Sequence, residues 1–214
     1  METTFDSKEK VNMDTPVTET FQERYPWIFG MSSPGPNKET LLMTELSTPL
    51  GPMLAGATSE GICLLEFANR IRFEKEISDL KTLLNAEILP GRNAHLDHLE
   101  TQLQEYFSGV RKIFTVPLHT PGNEFAQGVW KSLLKIPYGR TCSYKEQADM
   151  MKNPKAIRAI ASTNGRNRLA ILIPCHRVIG SDGSLTGYAG GIEKKKWLLQ
   201  FERSNSGIEE GYLF

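Results

Sequence analysis

The sequence predicts an α+β protein, with a small N-terminal sheet-plus-helix domain over residues 40–116 and a mostly helical domain over residues 117–204 that contains a helix-turn-helix. Three observations point to it. Short apolar runs separated by turn residues begin at Leu41, apolar residues at helical spacing follow, and a capped pair of short helices lies beyond Gly139. A chain of 214 residues with 39% hydrophobic content can bury one good core or two small ones.

Residues 1–39 are polar and end in Ser32-Ser33-Pro34-Gly35-Pro36-Asn37-Lys38-Glu39, which reads as a flexible tail. Within it, Phe21 to Phe29 carries Tyr25, Pro26, Trp27, Ile28 and Phe29, able to dock on the body or on a partner. The runs LLMTEL, PMLAGAT and GICLLEF, separated by Thr48-Pro49-Leu50-Gly51 and Ser59-Glu60-Gly61, read as strands. Arg72–Asn85, with Ile77, Leu80 and Leu84, and Ala94–Phe107, with Leu96, Leu99, Leu103 and Phe107, read as amphipathic helices packing on that sheet. Phe125, Val129, Trp130, Leu133 and Leu134 then form a helix stripe before the turn Pro137-Tyr138-Gly139. Residues 205–214 read as a C-terminal tail.

Ser143-Tyr144-Lys145-Glu146 fits a capping box, so a helix is expected from Tyr144 to about Met151. Asn153-Pro154 supplies a second cap with Pro at the first helical position, and the second helix should run from Lys155 to Thr163 and stop at Asn164-Gly165. Two short helices joined tightly make a helix-turn-helix. The 25 basic and 25 acidic residues of the chain cancel, so attraction to nucleic acid must come from the distribution of charge. Between Lys152 and Ser181 the charged residues are Lys152, Lys155, Arg158, Arg166, Arg168 and Arg177, all basic. Such a strip can neutralise backbone phosphates, and it can equally be a solvated helix face.

Cys63, Cys142 and Cys175 lie far apart, form no C-x-x-C pair and follow no apolar leader, which favours a reducing compartment over a disulfide framework. The cytoplasm, or the nucleus in a eukaryote, is the expected location, with no membrane association. Ile171-Leu172-Ile173 reads as a short buried strand that Pro174 ends, leaving Cys175 and His176 where the chain leaves the core. A cysteine attacks as the thiolate, and its reference pKa of ~8.5 leaves a minority ionised at neutral pH unless a base or positive charge is near, for which His176 and Arg177 are the candidates. A lone Cys beside a His is more often structural than catalytic. His95 and His98 raise zinc as an alternative, but the cysteines provide no matching ligand pairs. Gly180 to Gly191 lacks the G-K-[ST] of a phosphate loop.

The run Ile171-Leu172-Ile173-Pro174-Cys175-His176-Arg177-Val178-Ile179, followed by Gly187-Tyr188-Ala189-Gly190-Gly191 and Lys196-Trp197-Leu198-Leu199, closely resembles the active-site signature of the O6-alkylguanine-DNA alkyltransferases. The resemblance extends through Phe125 to Trp130, Pro137-Tyr138-Gly139-Arg140, Tyr144 and Asn153-Pro154-Lys155-Ala156, and more loosely to Thr48-Pro49-Leu50-Gly51. It implies an RNase H-like N-terminal domain and a winged helix-turn-helix-like C-terminal one. It implies irreversible, single-turnover transfer of an alkyl group from O6-alkylguanine in double-stranded DNA, with O4-alkylthymine left open, and with the damaged base flipped out of the helix.

The same resemblance assigns roles. Cys175 is the nucleophile, His176 the base acting through a water, Glu202 the residue holding that histidine, Tyr144 the proton donor to the leaving guanine, and Asn167 the hinge asparagine. Arg158 enters the duplex in place of the extruded nucleotide. Lys155, Ala156, Ala159 and Arg166 complete the DNA-binding face with Tyr144, and the small alanines suit close approach in the minor groove or, equally, tight packing against the body. Tyr188, Ala189, Gly190 and Val178 line the guanine pocket. No metal and no cofactor are expected, and the protein is expected to act as a monomer, with cooperative binding along DNA left open. A lesion binder of the alkyltransferase-like kind would lack Cys175. A thiol hydrolase or redox protein leaves Arg158 and the basic strip unexplained, and a DNA-binding regulator has no use for Cys175.

Overall fold

The computed structural model describes residues 21–29, 38–68 and 73–207. Its N-terminal half is a four-stranded sheet of β1 (Glu39–Leu46), β2 (Met53–Ala57), β3 (Ile62–Phe67) and β4 (Ala86–Pro90), in the order β3-β2-β1-β4. The first three strands form an antiparallel meander joined by tight turns, and β4 lies parallel to β1, with Leu41 opposite Ile88. That parallel pairing needs a crossover, supplied by α2 (Phe73–Leu84). Sequence periodicity does not reveal β4, a five-residue strand that ends in Pro90 and lies between the two expected helices. Arg72, the expected start of α2, lies outside the described residues.

Every residue of β2 and β3 is buried, so both sheet faces are covered. One face packs Leu41, Met43, Leu54 and Leu64 against Phe73, Ile77 and Leu80 of α2. Ile28 joins this core, and the short helix α1 (Phe21–Arg24) brings Phe21, Tyr25 and Phe29 against it. Arg24 Nη1 pairs with Glu45 at 2.6 and 2.8 Å, and Trp27 meets Phe73 edge-on at 5.8 Å. Residues 21–29 therefore depart from the expected flexible tail over 1–39. Their aromatic side chains are docked on the body, where they remove apolar area from water.

The other face packs Met53, Ala55, Leu65 and Phe67 against α3 (Ala94–Phe107) and the helical half. The buried stripe of α3 is Leu96, Leu99, Leu103 and Tyr106, with Phe107 only half-buried, so the stripe leads to the neighbouring residue at its C-terminal end. The helical half comprises α4 (Glu124–Leu133), β5 (Cys142–Ser143), α5 (Tyr144–Met150), a 3₁₀ turn at Pro154–Ala156, α6 (Ile157–Asn164), a second 3₁₀ turn at Cys175–Arg177, β6 (Val178–Ile179) and α7 (Ile192–Asn205). The stripe of α4 ends at Leu133, and Leu134 is exposed. Asn153 makes no side-chain cap, and the first turn of the second helix is 3₁₀. Helix α7 runs one residue past 204, and Lys112 Nζ donates to the Ser206 carbonyl at 3.1 Å.

The outer edge of β3 joins the two halves. Ile62 N–H donates to Pro117 O at 2.9 Å and His119 N–H to Ile62 O at 2.8 Å, and further along the strand Leu65 N–H donates to Arg168 O and Ala170 N–H to Leu65 O, both at 2.8 Å. An edge strand otherwise left open is thus closed by the interdomain linker and by the loop leading to Cys175. Among the described residues no helix is long and apolar enough to cross a membrane. At the start of this edge Gly61 has φ +147°, and a Cβ there would fall 2.5 Å from Pro117 O. Gly61→Ala is therefore expected to lower the unfolding free energy by about 1–3 kcal/mol in urea titration. An unchanged unfolding midpoint would show that the linker is not seated on this turn.

Candidate active site and nucleic-acid interface

The segment between α6 and Cys175 is a wound loop and not the strand expected over Ile171–Ile173. Asn167 sits buried at its centre, accepting from Leu169 N–H at 3.0 Å and donating through Nδ2 to Ile173 O at 2.8 Å. These bonds pull both ends of residues 169–173 onto one side chain, which an extended run cannot satisfy. Ile173 N–H closes the loop onto Leu169 O at 2.8 Å, and Ile171 takes φ +70°. A β-branched residue in that region costs of order 1–3 kcal/mol and persists only where its surroundings hold it. Ile171, Leu172 and Ile173 are buried as anticipated, but as a plug and not as a ladder. Asn167 Nδ2 also faces Leu169 O at 3.4 Å and the Cys175 sulfur at 3.2 Å.

Cys175 opens the 3₁₀ turn and is half-buried, while the next two residues turn inward to Glu202 on α7. His176 Nε2 lies 2.9 Å from Glu202 Oε1. Arg177 donates Nε to Oε2 at 2.8 Å and Nη2 to Oε1 at 2.9 Å, and its Nη1 reaches Ile136 O at 2.7 Å. Tyr106 O–H and Gly139 N–H complete the set at 2.8 and 3.2 Å. Burial alone would raise the Glu202 carboxyl, but His176 and the two-point Arg177 contact outweigh it and hold the group well below the usual carboxylate range. Burial drives the His176 imidazole the other way, below 6.5, despite the attraction of Glu202.

A neutral imidazole facing an acceptor-only carboxylate must place its proton on Nε2, which leaves a lone pair on Nδ1. That Nδ1 is buried and makes no hydrogen bond to any described residue. Lys195 is also buried, donating to Val178 O at 2.6 Å and Thr186 O at 2.7 Å; burial lowers its ammonium to about 8, with Cys175 acting in the opposite sense. Burial raises the Tyr144 phenol, a contact with the Thr186 side chain opposes it, and the charge of Cys175 as a thiolate raises it further, while the phenol O–H donates to Thr186 O at 3.4 Å. Tyr144 is therefore protonated at neutral pH. By contrast, burial pushes the Cys63 thiol up to about 12 and the Cys142 thiol up to about 11, which keeps both protonated at neutral pH.

The expected pocket residues lie on two segments that follow the Cys175–Arg177 turn in the chain. Val178 is buried in β6, paired with Cys142 of β5, and Tyr188, Ala189 and Gly190 are half-buried in the loop between β6 and α7. The Tyr188 ring lies 6.4 Å from that of His176. Among the described residues no cluster of three His, Cys, Asp or Glu side chains is arranged to hold a metal, and His95 Nε2 faces Ser59 O at 3.2 Å.

A second surface lies on α6. The capping box at Ser143 forms as expected, with Glu146 N–H donating to Ser143 Oγ at 3.1 Å and Ser143 N–H to Glu146 Oε2 at 2.6 Å. Helices α5 and α6 are then locked by a buried amide pair, Asn164 Nδ2 to Gln147 Oε1 at 2.7 Å and Gln147 Nε2 to Asn164 Oδ1 at 3.2 Å. Ile160 and Thr163 face inward, which turns Lys155, Arg158, Ala159 and Arg166 to solvent with Ala156 half-buried beside them. Two members of the basic strip do not belong to this face. Arg168 is half-buried, and Arg177 is committed to Glu202 because a buried carboxylate requires a buried cation.

Tyr106, Lys195 and the Gln147–Asn164 pair are site-supporting residues that sequence reasoning missed, and Arg177, expected as a candidate activator of the thiol, is instead paired with Glu202. Lys195 sits between Lys194 and Lys196, and such a run looks like a solvated face. The helical phase of α7, which buries Lys195, Leu198 and Glu202 together, is the signal that could have found it.

Comparison with known proteins agrees over most of the chain. Residues 41–120 match the ribonuclease-like domain, and residues 124–204 the DNA binding domain, of 6-O-methylguanine DNA methyltransferase. The methylated-DNA–protein-cysteine methyltransferase of Methanosarcina barkeri is 40% identical, over 75% of this chain and 96% of its own. The constitutive enzyme of that name from Bacillus subtilis is 42% identical, over 75% and 94%. The crystal structure of Mycobacterium tuberculosis O6-methylguanine methyltransferase superposes with a TM-score of 0.66 at 38% identity, over 77% of this chain and 94% of that one. The Mycobacterium tuberculosis protein solved in complex with DNA gives 0.64 at 37% identity, over 78% and 94%. With both domains matched in order and relatives covered almost end to end, this chain belongs to the 6-O-methylguanine DNA methyltransferase family, the methylated-DNA–protein-cysteine methyltransferases.

Proposed function

We propose that this protein repairs alkylated double-stranded DNA by direct reversal, moving the alkyl group of O6-alkylguanine onto Cys175 in one irreversible turnover. The observation that carries the reading is the Cys175 sulfur held 3.2 Å from Asn167 Nδ2, next in sequence to a histidine locked on Glu202. The thiol proton passes through a water to His176 Nδ1. The thiolate then attacks the alkyl carbon in line, the carbon–oxygen bond breaks with its electron pair leaving on guanine, and Tyr144 supplies the proton that the departing base needs. O4-alkylthymine, presenting the same alkylated oxygen chemistry, is a second substrate class. A thioether has no easy leaving path, so each molecule reacts once.

An alkylated oxygen within a stacked duplex cannot be reached in line, so the base is flipped, at a few kcal/mol that a poorly paired lesion reduces. Arg158 on the exposed face of α6 fills the space left in the stack, Lys155 and Arg166 contact phosphates, and Ala156 and Ala159 permit close approach in the minor groove. Tyr188, Ala189, Gly190 and Val178 enclose the extruded base. The 117–204 unit carries the chemistry on the platform of the 40–116 unit, as a monomer on each lesion, in the reducing cytoplasm or a eukaryotic nucleus.

Peptide mass spectrometry after mixing the protein with one equivalent of a duplex bearing a single O6-methylguanine is expected to find one methyl group on the Cys175 peptide and none on Cys63 or Cys142. Cys175→Ser should bind the same duplex and transfer nothing. Binding by the wild type with no cysteine modified would overturn the proposal. Because burial holds His176 below 6.5, the histidine remains a neutral base as the solution is acidified through that value. The single-turnover rate should therefore stay level from mildly alkaline pH down through 6.5 and fall only below it, and an acid limb centred above 6.5 would count against His176 as the base.

A further inference from the structure

We infer that Phe67, at the end of β3 in the N-terminal sheet, is a positioning residue that limits the size of alkyl group Cys175 can accept; the inference rests on the alkyl-transfer reading above. Phe67 lies in a part of the chain where the sequence offers no site residue, yet it is fully buried against the loop that encloses the base. Its ring meets Tyr188 edge-on at 6.5 Å, and the Tyr188 ring in turn lies 6.4 Å from that of His176. A Cβ on Gly190 would fall 2.6 Å from Phe67 Cδ2 and 2.9 Å from both Phe67 Cε2 and Tyr188 Cε1, so the loop backbone rests directly on the Phe67 ring. Lys194 Nζ lies 5.1 Å over the same ring, tying the start of α7 to it as well.

The consequence is mechanical. On the alkyl-transfer reading the Tyr188–Gly190 loop borders the alkyl group, so a group larger than methyl presses on this loop, and Phe67 lies directly behind Gly190. Phe67 cannot yield easily, because β3 is paired to β2 on one side, with Met53 opposite Phe67, and to residues 168–170 on the other. Close-packed interiors transmit such a constraint instead of absorbing it. The wall nearest the alkyl group is thus made by the loop, and its stiffness is supplied by the other domain. Shortening Phe67 to Leu opens room behind Gly190 without touching Cys175, His176, Glu202 or the α6 face.

The test is the single-turnover rate of transfer from duplexes bearing O6-methylguanine or O6-butylguanine, measured on one titrated preparation of each protein. Phe67→Leu is expected to raise the butyl-to-methyl rate ratio about tenfold, the scale on which a hydrophobic pocket discriminates added methylenes, while methyl transfer stays within about threefold of wild type. A general loss of folded protein lowers both rates together and leaves the ratio unmoved. Gly190→Ala, whose added methyl would collide with Phe67, should slow butyl transfer in the wild-type background and much less in Phe67→Leu, a non-additivity expected of residues in contact. Phe67→Met replaces Phe67→Leu in the same measurements if the latter does not fold. A ratio equal to that of wild type, with the Gly190→Ala penalty the same in both backgrounds, overturns the inference. Absence of methyl transfer to Cys175 in the wild type instead overturns the alkyl-transfer reading and this inference with it.

Discussion

The carboxylate of Glu202, nearly sealed from solvent, accepts from His176, Arg177, Tyr106 and Gly139, and in doing so it ties four separate segments of the chain to one point. Helix α7 supplies the acid, α3 the phenol, the Pro137–Gly139 turn a backbone N–H, and the turn after Cys175 a cation and an imidazole. A buried carboxylate is tolerable only when its lone pairs are filled and its charge is matched, and Arg177 does both with a planar fork. Removing one member of such a pair leaves a buried charge uncompensated, at about 3–5 kcal/mol. The burial that makes the cluster demanding also sets the chemistry. It keeps Glu202 ionised through Arg177, keeps His176 neutral, and orients the ring with its basic nitrogen free.

A second constraint acts on the sulfur from the opposite direction. Asn167 binds the backbone on both sides of the Ile171 kink and touches Cys175 with the same amide, so the position of the thiol follows from the conformation of the loop. That loop is in turn stitched to β3 through Leu65. The N-terminal sheet therefore does more than fill volume. Its edge is hydrogen-bonded to the loop that leads to Cys175, and two residues further along Phe67 backs Gly190 in the loop that the proposed function assigns to enclosing the base.

Features encoded over a few residues are legible in the sequence. The Ser143–Glu146 capping box, the stop at Asn164-Gly165 and the three strands of the meander are each specified by local chemistry, and the structure forms all of them. Cys175 and His176 stand out through the length of the motif around them. What periodicity misses is decided by distant partners. Ile171–Ile173 carries the apolar content of a strand, but Asn167 winds it into a loop. Arg177 looks like one more member of a basic strip until Glu202, far along the chain, claims it. β4 acquires its identity from β1, and the aromatic run at 21–29 acquires its place from an uncovered sheet face. In each case the residue type is read correctly and its partner is not, because burial and pairing belong to the tertiary structure.

The proposed chemistry depends on the protonation state that Glu202 imposes on His176, and nitrogen NMR of the ring nitrogens of His176 at neutral pH reads that state directly. The structure predicts a neutral ring with its proton on Nε2, engaged with Glu202, and an unprotonated Nδ1. A ring protonated on both nitrogens, or a neutral ring carrying its proton on Nδ1, would contradict it.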